Sequence, residues 1–215
     1  MLRLRTCLPL AALVLAALCL SVRAEGLPEL TAPLTLVVST ERPLPAVTVA
    51  EMHREMDKLM QQASIHVEWM QLSDFAPGTD VNDLVLVKFR GNCRIQPTPV
   101  FLDERGPMAF THTSDGEVLP FSEVLCDRVG VAAQSAMAGG EFGRRDELLG
   151  RALARVLAHE LYHIKGKCNE HGHSGVARRA LTGRELIAGT LDFAPADARR
   201  MVHTGNRPAR RGTQR

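Results

Sequence analysis

The pentapeptide His159-Glu160-Leu161-Tyr162-His163, near the end of a run with helical periodicity, constrains this chain more than any other feature. On a helix, residues four apart share a face, so both imidazoles can meet one zinc ion while Glu160 stands beside a water on that ion. A carboxylate in that position is the minimal apparatus for metal-assisted hydrolysis of a peptide bond.

The surrounding residues predict the helix that this chemistry needs. Residues 139–143 (GGEFG) read as a flexible break, and Asp146 can cap the segment that follows. Leu149, Ala152, Val156 and His159 or Leu161 fall on overlapping faces, which leaves Arg144, Arg145, Arg151 and Arg155 for the wetter side. Gly166 is suited to end the helix in left-handed backbone, so that the chain turns sharply after the second histidine.

A catalytic zinc usually takes three protein donors and leaves one position for water, so His159 and His163 need a partner beyond the turn. His171, eight residues after His163, is the first choice. Glu185, on a helix predicted over 182–191, and His173 are the alternatives, with His203 a further candidate. Imidazole and carboxylate both suit zinc, so donor chemistry leaves the choice open. Tyr162, the only tyrosine, lies between the motif histidines and is assigned to packing. An oxyanion donor is sought among His173 and His203, whichever is not a ligand.

The amino terminus sets the expected compartment. Arg3 and Arg5 precede the apolar run from Leu8 to Leu20, and Val22-Arg23-Ala24 offers a cleavage site, so residues 1–24 read as a signal peptide. The product is expected to be secreted or periplasmic, with no stable membrane insertion after cleavage. Cleavage takes three arginines and no acid, leaving 23 basic against 24 acidic residues. Nucleic acid is thereby excluded as an expected partner. Residues 25–205 are expected to form one domain, acting as a monomer, with 206–215 a disordered basic tail.

Export also changes how the cysteines are read. Cys7 and Cys19 leave with the signal, and Cys93, Cys126 and Cys168 remain for one bridge and one leftover thiol. Cys93 is paired with Cys126, because both lie in strand-like surroundings; Cys126 with Cys168 is the alternative.

Upstream of the motif, 34–39 (LTLVVS) predicts a strand, and Thr48 begins a helix with Met52, Met56, Leu59 and Met60 on one face. Residues 65–70 and 83–90 predict two more strands. Ser114-Asp115-Gly116 between 109–113 and 117–121 predicts a hairpin. His53, His66 and His112 are read as structural or solvated, the methionines as core, and 103–106 as a charged turn.

The run HELYHIKGKCNEH resembles the metzincin zinc signature, HExxHxxGxxH, at His159, Glu160, His163 and Gly166. It departs afterwards, because Asn169 stands at the third histidine's position and His171 comes two residues late. The passage HGHSGVAR is similar to small exported bacterial proteins of zincin type. This resemblance implies an α+β, zincin-like single domain, with a small mixed sheet packed on a long active-site helix. It also implies an edge strand, here 108–113, that holds a peptide or protein substrate by main-chain pairing. Met201 is the only downstream methionine, and nothing around it resembles the metzincin methionine turn.

The expected function is that of a zinc metallopeptidase with one catalytic ion, His159, His163 and His171 as ligands and Glu160 as general base. The alternative is an exported zinc-binding module without turnover. Glu160 argues against that module, since a purely structural zinc site has no use for a general base.

Overall fold

A computed structural model describes residues 33–76, 78–79, 81, 83–96 and 106–203, with only the backbone at His203. The expected signal peptide, the basic tail and most of the 103–106 turn lie outside the described residues. The elements run β1 (Leu34–Thr40), α1 (Ala46–Gln61), β2 (Val67–Gln71), β3 (Leu84–Arg90), β4 (Ala109–Ser114), β5 (Glu117–Leu125), α2 (Cys126–Ser135), α3 (Arg145–Gly166), α4 (Gly183–Ile187) and α5 (Pro195–His203). Apart from α1, which crosses from β1 to β2, the strands precede the helices, and this mixed content makes an α+β fold.

The five strands form one mixed sheet in the order β2-β1-β3-β5-β4. The first four are mutually parallel, and β4 closes the edge as the antiparallel arm of the β4–β5 hairpin. At the hairpin tip Asp115 and Gly116 both adopt positive φ, the backbone of a type I′ turn. Pro120, which has no N–H to donate, lies ahead of the β3–β5 pairing that starts at Leu86↔Phe121. It also falls where the β4–β5 register shifts, between Thr111 and Thr113.

Strand alternation decides which side chains face the helices. Val85, Val87 and Phe89 are buried, while Leu86, Lys88 and Arg90 between them are not. Register extends that inner row sideways from Val38 through Val87 and Ser122 to Thr111. Thr111 of the edge strand therefore belongs to the helix-covered face.

Helix α3 is the centre of the molecule and touches α1, α2, α4, α5, β4 and β5. Neighbours on so many sides explain why almost every α3 residue from Leu148 to Gly166 is buried. The assignment of Arg151 and Arg155 to a wet face is corrected accordingly: they are 8% and 0% exposed. Each reaches a carboxylate of α1. Arg151 Nη2 lies 3.0 Å from Glu51 Oε1, and Arg155 Nε donates to Glu55 Oε1 at 2.8 Å. The same guanidinium groups donate to carbonyls at the end of α4, Arg155 to Glu185 and Leu186, Arg151 to Ile187 and Ala188. They thus lock three helices together and satisfy carbonyls that α4 cannot satisfy itself. Arg144 and Arg145 are exposed, as expected.

Other boundaries also move. Residues 139–144 form a 3₁₀ turn, and Arg144, not Asp146, occupies the N-cap of α3; Asp146 and Glu147 sit in its first turn, where they favour the helix dipole. Helix α1 begins at Ala46, and the Thr48 hydroxyl donates to the Asp146 carbonyl at 2.9 Å. Helix α4 is a single turn, capped at Thr182, rather than the longer helix expected over 182–191. Cys93 and Cys126 are bridged, and Cys168 is free. Cys126 opens α2 and is not in a strand. Among the described residues, no helix is long and apolar enough to cross a membrane.

The α1–α3 lock makes stability depend on pH. Burial opposes ionisation of Glu51, yet its bonds to Arg54 and Arg151 outweigh that opposition and hold the carboxyl below its ordinary value. A depressed folded pKa contributes stability that is full above the unfolded value, about 4.3, and is lost as pH falls through the folded one. Glu51→Gln should therefore unfold at lower urea than wild type at pH 7. The gap should close as pH drops below about 4, and a gap constant from pH 7 to 3 would contradict the assignment.

Candidate metal centre

Helix α3 presents His159 and His163 one turn apart on the face turned toward the 167–178 segment. The helix ends differently from expectation. Gly166 is its last residue, and Lys167 takes the left-handed conformation at φ 47° and ψ 45°. Glycine at 166 serves close packing instead: an added Cβ would lie 3.1 Å from Cys168 Sγ and 3.5 Å from the Arg200 stem.

From Lys167 the chain returns and sets His171 against both motif histidines. The His171 ring centroid lies 5.2 Å from that of His159 and 4.8 Å from that of His163. One nitrogen from each of the three rings can be chosen so that all lie within 4.8 Å of one another. His173 is exposed, and Glu185 is engaged elsewhere. The Glu185 carboxylate accepts from Thr182 N and Oγ1 and from Arg178, making the capping box of α4. The His203 side chain lies outside the described residues.

Both motif histidines are oriented from behind. His159 Nδ1 lies 2.9 Å from the Val176 carbonyl, and His163 Nδ1 lies 2.8 Å from the Cys168 carbonyl. A carbonyl can only accept, so each Nδ1 carries the proton and each Nε2 keeps its lone pair. The two Nε2 atoms are 3.2 Å apart. Two donors sharing a tetrahedral ion at bonds of about 2.0–2.1 Å stand at about that separation. Burial also holds the pKa of His159, His163 and His171 below the ordinary value, so the rings are neutral, as ligation requires. His159 and His163 thus have the tautomers and the separation of a donor pair for one divalent ion, and His171 offers a third imidazole within 4.8 Å.

The Val176 carbonyl is delivered by Gly175, at φ +67°, where any Cβ would strike the Asp192 carbonyl at 2.1 Å. Val176 N in turn donates to that carbonyl. This accounts physically for glycine within HGHSGVAR.

Glu160 projects from α3 toward the sheet. Its Oε2 accepts from the Thr111 hydroxyl of β4 at 2.7 Å. Burial raises the Glu160 pKa, and the Thr111 bond works the other way. A cavity of about 630 Å³ lies beside these groups. Its walls include residues 106–111, the Val131–Ala132 face of α2, and 178–181 with Gly183, and among the described residues that line it Glu160 is the only acid. The edge strand thus borders the histidine-bearing side of α3.

Tyr162 is fully buried, and its hydroxyl takes a hydrogen bond from Arg200 at 3.1 Å, so it serves packing. His112 pairs with Glu123 and stacks on Phe121, His53 stacks on Trp69, and His66 is exposed. Sequence reasoning missed Thr111, the two orienting carbonyls and Arg200. None of them carries a local signal, because each acts through a contact distant in the chain or through the backbone.

No protein-family model, no curated protein and no solved structure matches this chain.

Proposed function

We propose that this chain is a zinc-dependent peptidase of zincin type, exported to the periplasm or the medium, with His159, His163 and His171 as its zinc ligands. The reading rests on one observation: three neutral imidazoles converge beside a buried carboxylate and an edge strand. Zinc, when bound there, supplies a Lewis acid that acidifies a water and polarises a carbonyl.

The chain's own residues do the rest. β4, the edge strand among the described residues, pairs with an extended substrate through its outer main chain. The cavity beside it takes substrate side chains away from bulk water. Glu160 removes a proton from the attacking water and returns it to the leaving amine, work to which a raised carboxyl pKa is suited. Thr111 holds that carboxylate in place while its own strand holds the substrate.

Metal analysis beside a peptide-cleavage assay tests the proposal. About one zinc per chain and cleavage of members of a peptide library are expected, with zinc largely lost in His171→Ala. A wild type without zinc sinks the reading, and zinc undiminished in His171→Ala removes that ligand. Zinc without any cleavage favours the non-catalytic binding module. Thr111→Val should lower kcat about 10–100-fold, the worth of a hydrogen bond to a charged group, with a smaller change in KM. An unchanged kcat would assign Thr111 to packing alone.

A further inference from the structure

The third histidine arrives on a turn with few main-chain restraints. Cys168 N donates to the His163 carbonyl, and the next main-chain bond made by an N–H is from Gly172 to the Ala177 carbonyl at 2.8 Å. Residues 169–171, including the ligand His171, lie between those two anchors.

One side chain of α5 spans this gap. Arg200 Nη1 donates to the Tyr162 hydroxyl at 3.1 Å and approaches Cys168 Sγ at 3.8 Å, and Nη2 meets Glu170 Oε2 at 2.7 Å. Its stem passes near Gly166, where an added Cβ would meet it in ordinary contact at 3.5 Å. Arg200 therefore touches a residue between the motif histidines, the residue whose carbonyl orients His163, and the neighbour of His171. Its two ends differ in weight. The Glu170 carboxylate is 74% exposed, and an ion pair there contributes little. The Tyr162 end is buried, and that hydroxyl accepts from Arg200 while itself donating to Asp197 Oδ1 at 3.5 Å, so removing Arg200 takes away the shorter of its two bonds.

We infer that Arg200 is a positioning residue for the metal centre: it clamps the 166–171 turn so that the His163 ring stays oriented and His171 completes the ligand set. The inference rests on the zinc reading above but requires no substrate and no turnover. A partner that orients a ligand without touching the metal typically changes metal affinity by about 10–100-fold. Arg200→Met keeps the stem and removes the donors, Arg200→Lys keeps one charged donor, and Glu170→Gln removes only the exposed pair.

The test is zinc competition titration of the purified protein, with the visible absorption of the cobalt-substituted form as a readout of ligand geometry. Val87→Ala, a core truncation in β3, serves as a control for general destabilisation. Zinc binding should weaken about 10–100-fold in Arg200→Met, with partial recovery in Arg200→Lys and little change in Glu170→Gln. The cobalt spectrum of Arg200→Met should also depart from wild type, whereas Val87→Ala should keep wild-type affinity and spectrum. Wild-type affinity and spectrum in Arg200→Met overturn the clamp, as does an equal loss in Val87→Ala. If Arg200→Met does not fold, Arg200→Lys decides: reduced affinity with an altered spectrum supports the clamp, and wild-type behaviour overturns it. A wild type that binds no zinc overturns the metal reading itself, which keeps the two failures distinct.

Discussion

Glu160→Ala is expected to abolish measurable peptide hydrolysis, by about 10²–10⁴-fold or more, while leaving zinc bound near one per chain. The asymmetry follows from the geometry. Glu160 is not among the three imidazoles that converge, and its carboxylate turns toward Thr111 of the edge strand. Removing it takes no donor from the ion but removes the base that shuttles the proton. Burial raises its pKa, so the side chain accepts a proton more readily than a solvated glutamate. Glu160→Gln is the companion variant, because it keeps the volume and can still meet the Thr111 hydroxyl while losing the charge. Equal loss in both variants, with zinc retained, identifies proton transfer as the step removed. Cleavage surviving in both would show that another group is the base.

Arg155→Met is expected to be the most damaging single substitution for stability, at about 3–5 kcal/mol, because it strands the Glu55 charge in the core. Arg155 is 0% exposed and its partner 1%, and the guanidinium also serves the Glu185 and Leu186 carbonyls of α4. Against a total of about 5–15 kcal/mol for an ordinary domain, that loss leaves a barely folded protein. The double variant Arg155→Met with Glu55→Met should recover most of it, since two well-packed apolar side chains commonly replace a buried ion pair without net loss. It should stop short of full recovery, because the two α4 carbonyls stay without their donor. Urea denaturation of the two singles and the double measures this. A cost below about 1 kcal/mol in Arg155→Met would remove the α1–α3–α4 lock from the explanation of the fold.

The two buried arginines of α3 were not legible in the sequence. Arg151 and Arg155 stand four apart among apolar residues, a pattern that a solvated stripe shares with a buried one. Their partners, Glu51 and Glu55, are also four apart and lie 100 residues upstream. Nothing local to either helix records that the stripes meet. Gly166 is a similar case: glycine after a helical run signals a left-handed stop, but Lys167 accepts that backbone, and the close approach at the glycine is to Cys168 Sγ as the chain folds back, 3.1 Å from where a Cβ would stand.

What the sequence determined by itself was the part governed by short spacing. The four-residue interval places His159 and His163 on one face, alternation from Leu84 to Arg90 sets the two faces of β3, and Asp115-Gly116 makes the hairpin that puts β4 beside β5. These features depend on helix period, strand period and turn stereochemistry, which a few neighbouring residues dictate. Tertiary structure alone decided that His171 joins the pair and that Glu185 is spent on Arg178 and Thr182. It also decided that carbonyls of Val176 and Cys168 orient the rings, and that Thr111 meets Glu160. Those outcomes depend on how a turn closes and how a strand edge lies on a helix, set by packing between residues far apart in the chain.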